Sequence, residues 1–157
     1  MKMFNKYLCF PVLILILGCS SYTETDRIIY ISEKDGNPEI YSMEKNGSDP
    51  QRLTNSSRTE SNPKLSPDGK YLSFLVNKNS IEELYIMEIE ENGKQVQVSE
   101  KGLNIEDFFW SPNSQQITYK AKDIDQNHDI YLYDVVKDIT NKVTNNSSVE
   151  KLGNWSP

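Results

Sequence analysis

Leu65-Ser66-Pro67-Asp68-Gly69-Lys70-Tyr71-Leu72-Ser73-Phe74 reads as an extended residue, a tight turn and the start of an alternating strand. Pro67 presets φ for the turn and Gly69 accepts the positive φ that closes it. Leu72, Phe74 and Val76 then fall on one face of the strand, the mark of a half-buried β segment. The Ser-Pro pair of this stretch returns at Ser111-Pro112 and Ser156-Pro157, two steps of 45 residues (111 − 66 and 156 − 111).

Other marks keep the same step. An apolar residue precedes each pair (Leu65, Trp110, Trp155), and Leu53-Thr54, Val98-Ser99 and Val143-Thr144 are spaced alike. Each unit also carries an apolar-x-aromatic triplet (Ile28/Tyr30, Leu72/Phe74, Ile117/Tyr119) and a second aromatic position (Tyr41, Tyr85, Tyr131). Self-similarity at about 40–50 residues with β-type content marks propeller blades and related arrays. The predicted fold class is therefore all-β, with about three blade-equivalents of short strands joined by hairpins. The best-marked unit has strands at Asn62–Leu65, Tyr71–Val76, Glu83–Met87 and Lys94–Val98, the last entered through Glu91-Asn92-Gly93. The following unit has Phe108–Trp110, Gln116–Lys120, Asp129–Asp134 and Asn141–Thr144. The first lacks an opening strand and has Arg27–Ser32, Glu39–Met43 and Gln51–Thr54. Residues 27–54 thus read as a partial blade, 60–99 and 106–144 as blades, and 152–157 as the start of another.

Ile28-Ile29-Tyr30, Asp35-Gly36-Asn37-Pro38-Glu39-Ile40-Tyr41, Arg52-Leu53-Thr54 and the Leu65–Lys70 stretch together resemble the TolB-type β-propeller repeat, over nearly everything after residue 26. The resemblance implies closed rings of about six blades and a place among Tol-system proteins, peptidase propellers and other exported proteins. It constrains fold far more than function. The second unit departs from the pattern with Asn79-Ser80-Ile81-Glu82 in place of Asp-Gly-Asn, and Asn113-Ser114 replaces Asp-Gly in the second Ser-Pro turn.

Lys2 and Lys6 flank a start that leads into the apolar run Tyr7–Leu17 and then Gly18-Cys19-Ser20. A basic segment, a short apolar segment and small residues at the cut form a secretory signal. The run is well short of the ~20 residues that span a bilayer. Residues 1–18 are read as a signal helix, and Ile16-Leu17-Gly18-Cys19 resembles the bacterial lipobox, with Ile in place of the preferred Leu. Cys19 is then the lipid attachment point and 19–26 a polar tether, anchoring the chain in a membrane through acyl groups. Ser20, not Asp, after the cysteine points to the outer membrane, facing the periplasm. The other cysteine, Cys9, lies inside the signal, so no disulfide is expected in the exported part.

The formal charge is −6, and removal of Lys2 and Lys6 gives −6 − 2 = −8. An acidic chain without a basic stripe is not a nucleic-acid binder. Three blade-equivalents do not close a ring, which leaves a shortened chain, an open arc on another protein, or a homodimer completing a six-bladed ring.

Candidate chemistry is sparse. His128 is the single histidine and is read as a solvated turn residue. No Gly-x-Ser-x-Gly elbow is present, so catalysis is not expected. Asp123, Asp125, Asn127 and Asp129 alternate as in a calcium loop, but His128 replaces the required glycine and no bidentate Glu closes the set. The segment is read as an elongated polar hairpin, with calcium as the alternative and no other cofactor. The recurring aromatics are assigned to the core between blades. Glu82-Glu83, Glu88 and Glu90-Glu91 are assigned to solvated sheet edges. The function these readings support is a non-catalytic, envelope-anchored module that binds other envelope proteins. The alternatives are the propeller portion of a prolyl-oligopeptidase-type serine peptidase, or a propeller that binds glycans or small ligands.

Overall fold

The computed structural model describes residues 26–89, 93–145 and 148–156. The signal segment, Cys19 and the tether up to residue 25 lie outside them, as do Glu90, Glu91, Asn92, Asn146, Ser147 and Pro157. The described residues form eleven strands and no helix. Three antiparallel meanders follow one another along the chain. The first sheet holds β1 (Arg27–Ser32), β2 (Glu39–Glu44) and β3 (Gln51–Arg52). The second holds β4 (Thr59–Leu65), β5 (Tyr71–Lys78), β6 (Ile81–Glu88) and β7 (Gln95–Gln97). The third holds β8 (Asn104–Trp110), β9 (Gln116–Lys122), β10 (His128–Asp134) and β11 (Ile139–Lys142).

Period-two alternation divides the side chains of β5 between two cores. Leu72, Phe74 and Val76 join Ile40 and Met87 against the first sheet, with Ile29 and Tyr85 at the margin. Leu75 points the other way and meets Leu84, Ile86, Ile105, Phe108, Ile117 and Tyr119 against the third sheet. The middle blade is therefore covered on both faces. The recurring aromatics stack in cross-strand pairs: Tyr30–Tyr41, Phe74–Tyr85 and Tyr119–Tyr131 lie at centroid distances of 5.6, 6.1 and 5.2 Å.

The fourth strands end earlier than the sequence suggests, and the reason repeats. The amides of Leu53 and Thr54 both turn onto the Ile40 carbonyl, at 2.8 and 3.3 Å, while the Ile40 amide donates to Thr54 Oγ1 at 2.8 Å. Val98-Ser99 does the same to Leu84, and Val143-Thr144 to Ile130. Each Leu/Val-Ser/Thr mark is thus a hydroxyl-closed exit from the sheet, not the tip of a ladder. Conversely, the opening strand of the second blade starts earlier than predicted, at Thr59. It bypasses Pro63 through a bulge between Ser61 and Lys64, where Asn62 takes φ 51°. Such a bulge is where a strand tolerates proline.

The Ser-Pro turns are built alike despite their different sequences. Ser66 Oγ accepts the Tyr71 amide at 3.0 Å and donates to Asp68 Oδ1 at 2.6 Å. Ser111 Oγ accepts the Gln116 amide at 2.9 Å and donates to Asn113 Oδ1 at 2.7 Å. Ser114 adopts φ 61° where the first turn has Gly69 at 73°, and its hydroxyl accepts the Asp68 amide at 3.0 Å, stapling one turn to the other.

Trp110 Nε1 donates to Ser73 Oγ at 2.7 Å and to the Lys64 carbonyl at 3.3 Å. One repeat on, Trp155 Nε1 donates to the Phe109 carbonyl at 3.4 Å, with Thr118 in the place of Ser73. No strand forms at 152–156, the described part of the predicted start of a further blade, yet Trp155 already sits as Trp110 does.

Candidate functional site

One end of the three sheets gathers the hairpins β1–β2 (33–38), β5–β6 (79–80) and β9–β10 (123–127) with the crossings between sheets. At this rim β2, β6 and β10 each carry a buried acid within their first three residues: Glu39, Glu83 and Asp129. The residue after each is the one gripped by the Ser or Thr of the sheet exit. The acids are held differently. Glu39 Oε1 accepts Arg52 Nη2 at 2.8 Å, the Ser56 amide at 2.8 Å and Asn37 Nδ2 at 3.2 Å. Burial works to raise this carboxyl, but Thr54, Ser56, Arg52 and Asn37 together hold it below the ordinary value. Asp129 pairs with Lys142 at 2.7 Å and accepts the Thr144 hydroxyl at 3.2 Å. The hydrogen bond to Asp129 in turn holds the Lys142 ammonium above its usual range, against burial. In the middle blade Gln97 stands where Arg52 and Lys142 stand in the others, and Glu83 instead faces Lys78 at 3.7 Å and the Tyr85 hydroxyl at 3.2 Å.

Around Glu39 the charges form a small network. Arg52 Nη1 reaches Asp35 Oδ2 at 3.2 Å, and the Tyr41 hydroxyl donates to the same carboxylate. Burial, then Asp35, pushes the Tyr41 phenol up to about 12. Across the junction lies Glu60 of β4, almost fully buried, whose Oε1 accepts the Ser56 hydroxyl at 2.6 Å.

Between the second and third hairpins the rim opens into a groove of about 620 Å³ lined by Ser80, Ile81, Lys101, Leu103, Lys122 and Ile124. Ile124, at the tip of its hairpin, is 89% exposed. The hairpin beneath it is turned by Asp123, whose Oδ1 accepts the Asn127 amide at 2.9 Å and whose Oδ2 accepts Asn127 Nδ2 at 3.0 Å. Asp123 and Asn127 therefore bind each other, and Asp129 turns to Lys142. Among the described residues no group of three His, Cys, Asp or Glu side chains is arranged to hold a metal ion.

Two sequence readings are corrected here. His128 is not a solvated turn residue but the first residue of β10, its side chain 19% exposed and its Nδ1 3.1 Å from Glu106 Oε1. Glu106 is the bulged residue of β8 and also binds Lys120 at 2.6 Å. Burial would raise the Glu106 carboxyl, and Lys120 and His128 hold it down. Glu83 is not a solvated edge residue either: it takes the buried place that Glu39 and Asp129 take in their blades. The signal that could have found it is position, since Glu39, Glu83 and Asp129 each precede an aliphatic residue and then Ile40, Leu84 and Ile130 lead to a tyrosine. Glu60 recurs two steps on as Glu150, but Ile105 between them breaks the mark. Cys19 lies outside the described residues.

Comparison with known proteins extends the repeat. The family described as the TolB beta propeller domain matches residues 19–157. A "Protein TolB homolog" of Chlorobium chlorochromatii is 33% identical over 131 residues, 83% of this chain and 29% of its own length. The "Tol-Pal system protein TolB" of Desulfosudis oleivorans is 36% identical over 104 residues, 66% of this chain and 23% of its own length. The crystal structure of TolB from Acinetobacter baumannii superposes with a TM-score of 0.60 at 20% identity, over 79% of this chain and 32% of that one. The chain spans less than a third of the length of these curated relatives.

Proposed function

The chain belongs to the TolB β-propeller family, and from that premise we propose that it acts by binding another protein of the cell envelope and not by catalysis. It is held there by a lipid on Cys19, on the periplasmic side of the outer membrane. The observation that carries the reading is the rim groove between the second and third hairpins. Its walls mix aliphatic, polar and cationic side chains with the Asp123 carboxylate, and an isoleucine projects from its lip. Loops on a rigid scaffold are where binding residues concentrate, and the groove lies between two of them. The likeness to a protein named for the Tol-Pal system supports an envelope partner. Glu39 and Asp129 of the rim are held by Arg52, Lys142 and the Ser56 amide, which suits a scaffold.

A photo-reactive residue at position 124 of the full chain tests this in cells. One discrete envelope protein is expected to cross-link from position 124 and not from Val136, which is 75% exposed on a turn of the opposite end. Equal labelling from both positions would overturn the rim as the contact surface. Cys19→Ala is expected to move the chain from the membrane fraction to the soluble fraction. Continued sedimentation with membranes would overturn the lipid anchor and leave the rim reading untouched.

A further inference from the structure

Glu60 sits fully buried in a seat that the next blade gives to a hydrocarbon and the step after that gives to Glu150, only partly buried. It is 1% exposed, and one step of 45 residues later the same place holds Ile105, 2% exposed. A buried carboxylate without a partner is far costlier than a neutral acid that donates a hydrogen bond. The partner at hand is Glu39. Ser56 bridges the two, its amide donating to Glu39 Oε1 at 2.8 Å and its hydroxyl to Glu60 Oε1 at 2.6 Å. The remaining oxygens, Glu39 Oε2 and Glu60 Oε2, are both buried and accept no hydrogen bond. Two ionised carboxyls would set bare acceptors against each other. One proton turns them into a donor and an acceptor.

We propose that Glu60 is a neutral carboxylic acid at neutral pH that donates its proton to the Glu39 carboxylate, and that this shared proton is a pH-sensitive latch between the first and second blades. The surroundings decide which partner keeps it. Arg52 of β3, with Asn37 and the Ser56 amide, fixes the negative charge on Glu39. Asp35 and Tyr41 stand on the far side of Arg52, and on the Glu60 side the facing groups are Glu83 of β6, paired with Lys78, and Tyr85 beside Arg58. Burial pushes the Glu60 carboxyl up, the Ser56 hydroxyl opposes it, and the charge of Glu39 adds to the rise. For a group whose pKa is raised on folding, the stabilisation is complete below the ordinary carboxyl value and is lost as pH rises through the raised one. The latch therefore opens toward alkaline pH.

Infrared spectroscopy of the full chain with isotope-labelled glutamate reads the proton directly. At pH 7 the wild type is expected to show the carbonyl stretch of a protonated glutamic acid, and Glu60→Gln to lack it. Between the ordinary and the raised pKa the folded-to-unfolded ratio of the wild type should fall by up to about tenfold per pH unit. Glu60→Gln, whose amide still donates to Glu39, should lose that slope. Should the amide variant not fold, Glu60→Ile, the residue the next blade uses, takes its place in the same titration. A wild type without the neutral-acid band at pH 7, or a variant that keeps the slope, would overturn the latch.

Discussion

Thr54, Ser99 and Thr144 show how much a single hydroxyl decides. Each accepts an amide of the strand paired with the one it leaves, and without it that amide is buried and unpaired. Thr54→Val keeps the shape and removes both the acceptor for the Ile40 amide and the hydroxyl's hydrogen bond to Glu39, so it separates hydrogen bonding from packing. The expected loss is about 1–3 kcal/mol, the desolvation penalty of an orphaned buried amide. Urea unfolding checks it: a midpoint unchanged from wild type would mean that the exit is held by the backbone bonds alone. These residues were legible as a recurring mark at 45-residue steps, but their role was not. A sequence gives the spacing of Thr54 from Ile40, and only the folded turn shows that the chain doubles back to touch it. Glu60 was less legible still, because its meaning depends on Ile105 filling the equivalent seat and on Glu39 arriving from another blade.

Strands were read correctly where alternation was strong and misjudged where the backbone departs from a ladder. β5 was recognisable from Leu72, Phe74 and Val76 on one side, and its other face follows from Leu75. The openings of β4 and β8 were hidden by Asn62-Pro63 and by Glu106-Asp107, which sit at bulges and break the period of two. β5 is also the element whose loss the fold tolerates least, being packed on both faces. Phe74→Ala is expected to cost about 3–5 kcal/mol as a fully buried aromatic cut back to a methyl, against a smaller loss for Tyr30→Ala, whose ring is only half-buried. Thermal or denaturant unfolding of the two variants gives the comparison, and equal losses would contradict a middle blade that carries more of the stability than its neighbour.

At the scale of the whole molecule the three sheets are joined by contacts that repeat from one junction to the next, as in other arrays where each unit touches only its neighbours. The acidic balance lies on this frame without a basic stripe. Family membership was legible from the repeat, since periodicity survives substitution at any one site. The rim groove was not, since its residues come from Ser80, Lys101 and Lys122, which share no motif. Trp110 and Trp155 carry a last consequence. Each indole bonds a carbonyl of the blade before its own, and these are the only two tryptophans in the chain. The seams consequently have a polarity: a blade is clasped from behind by the residue that announces its successor, as one tooth of a zip holds the tooth before it. Indole fluorescence is thereby partitioned between two seams, and the order in which the seams shut is written in the light the molecule emits.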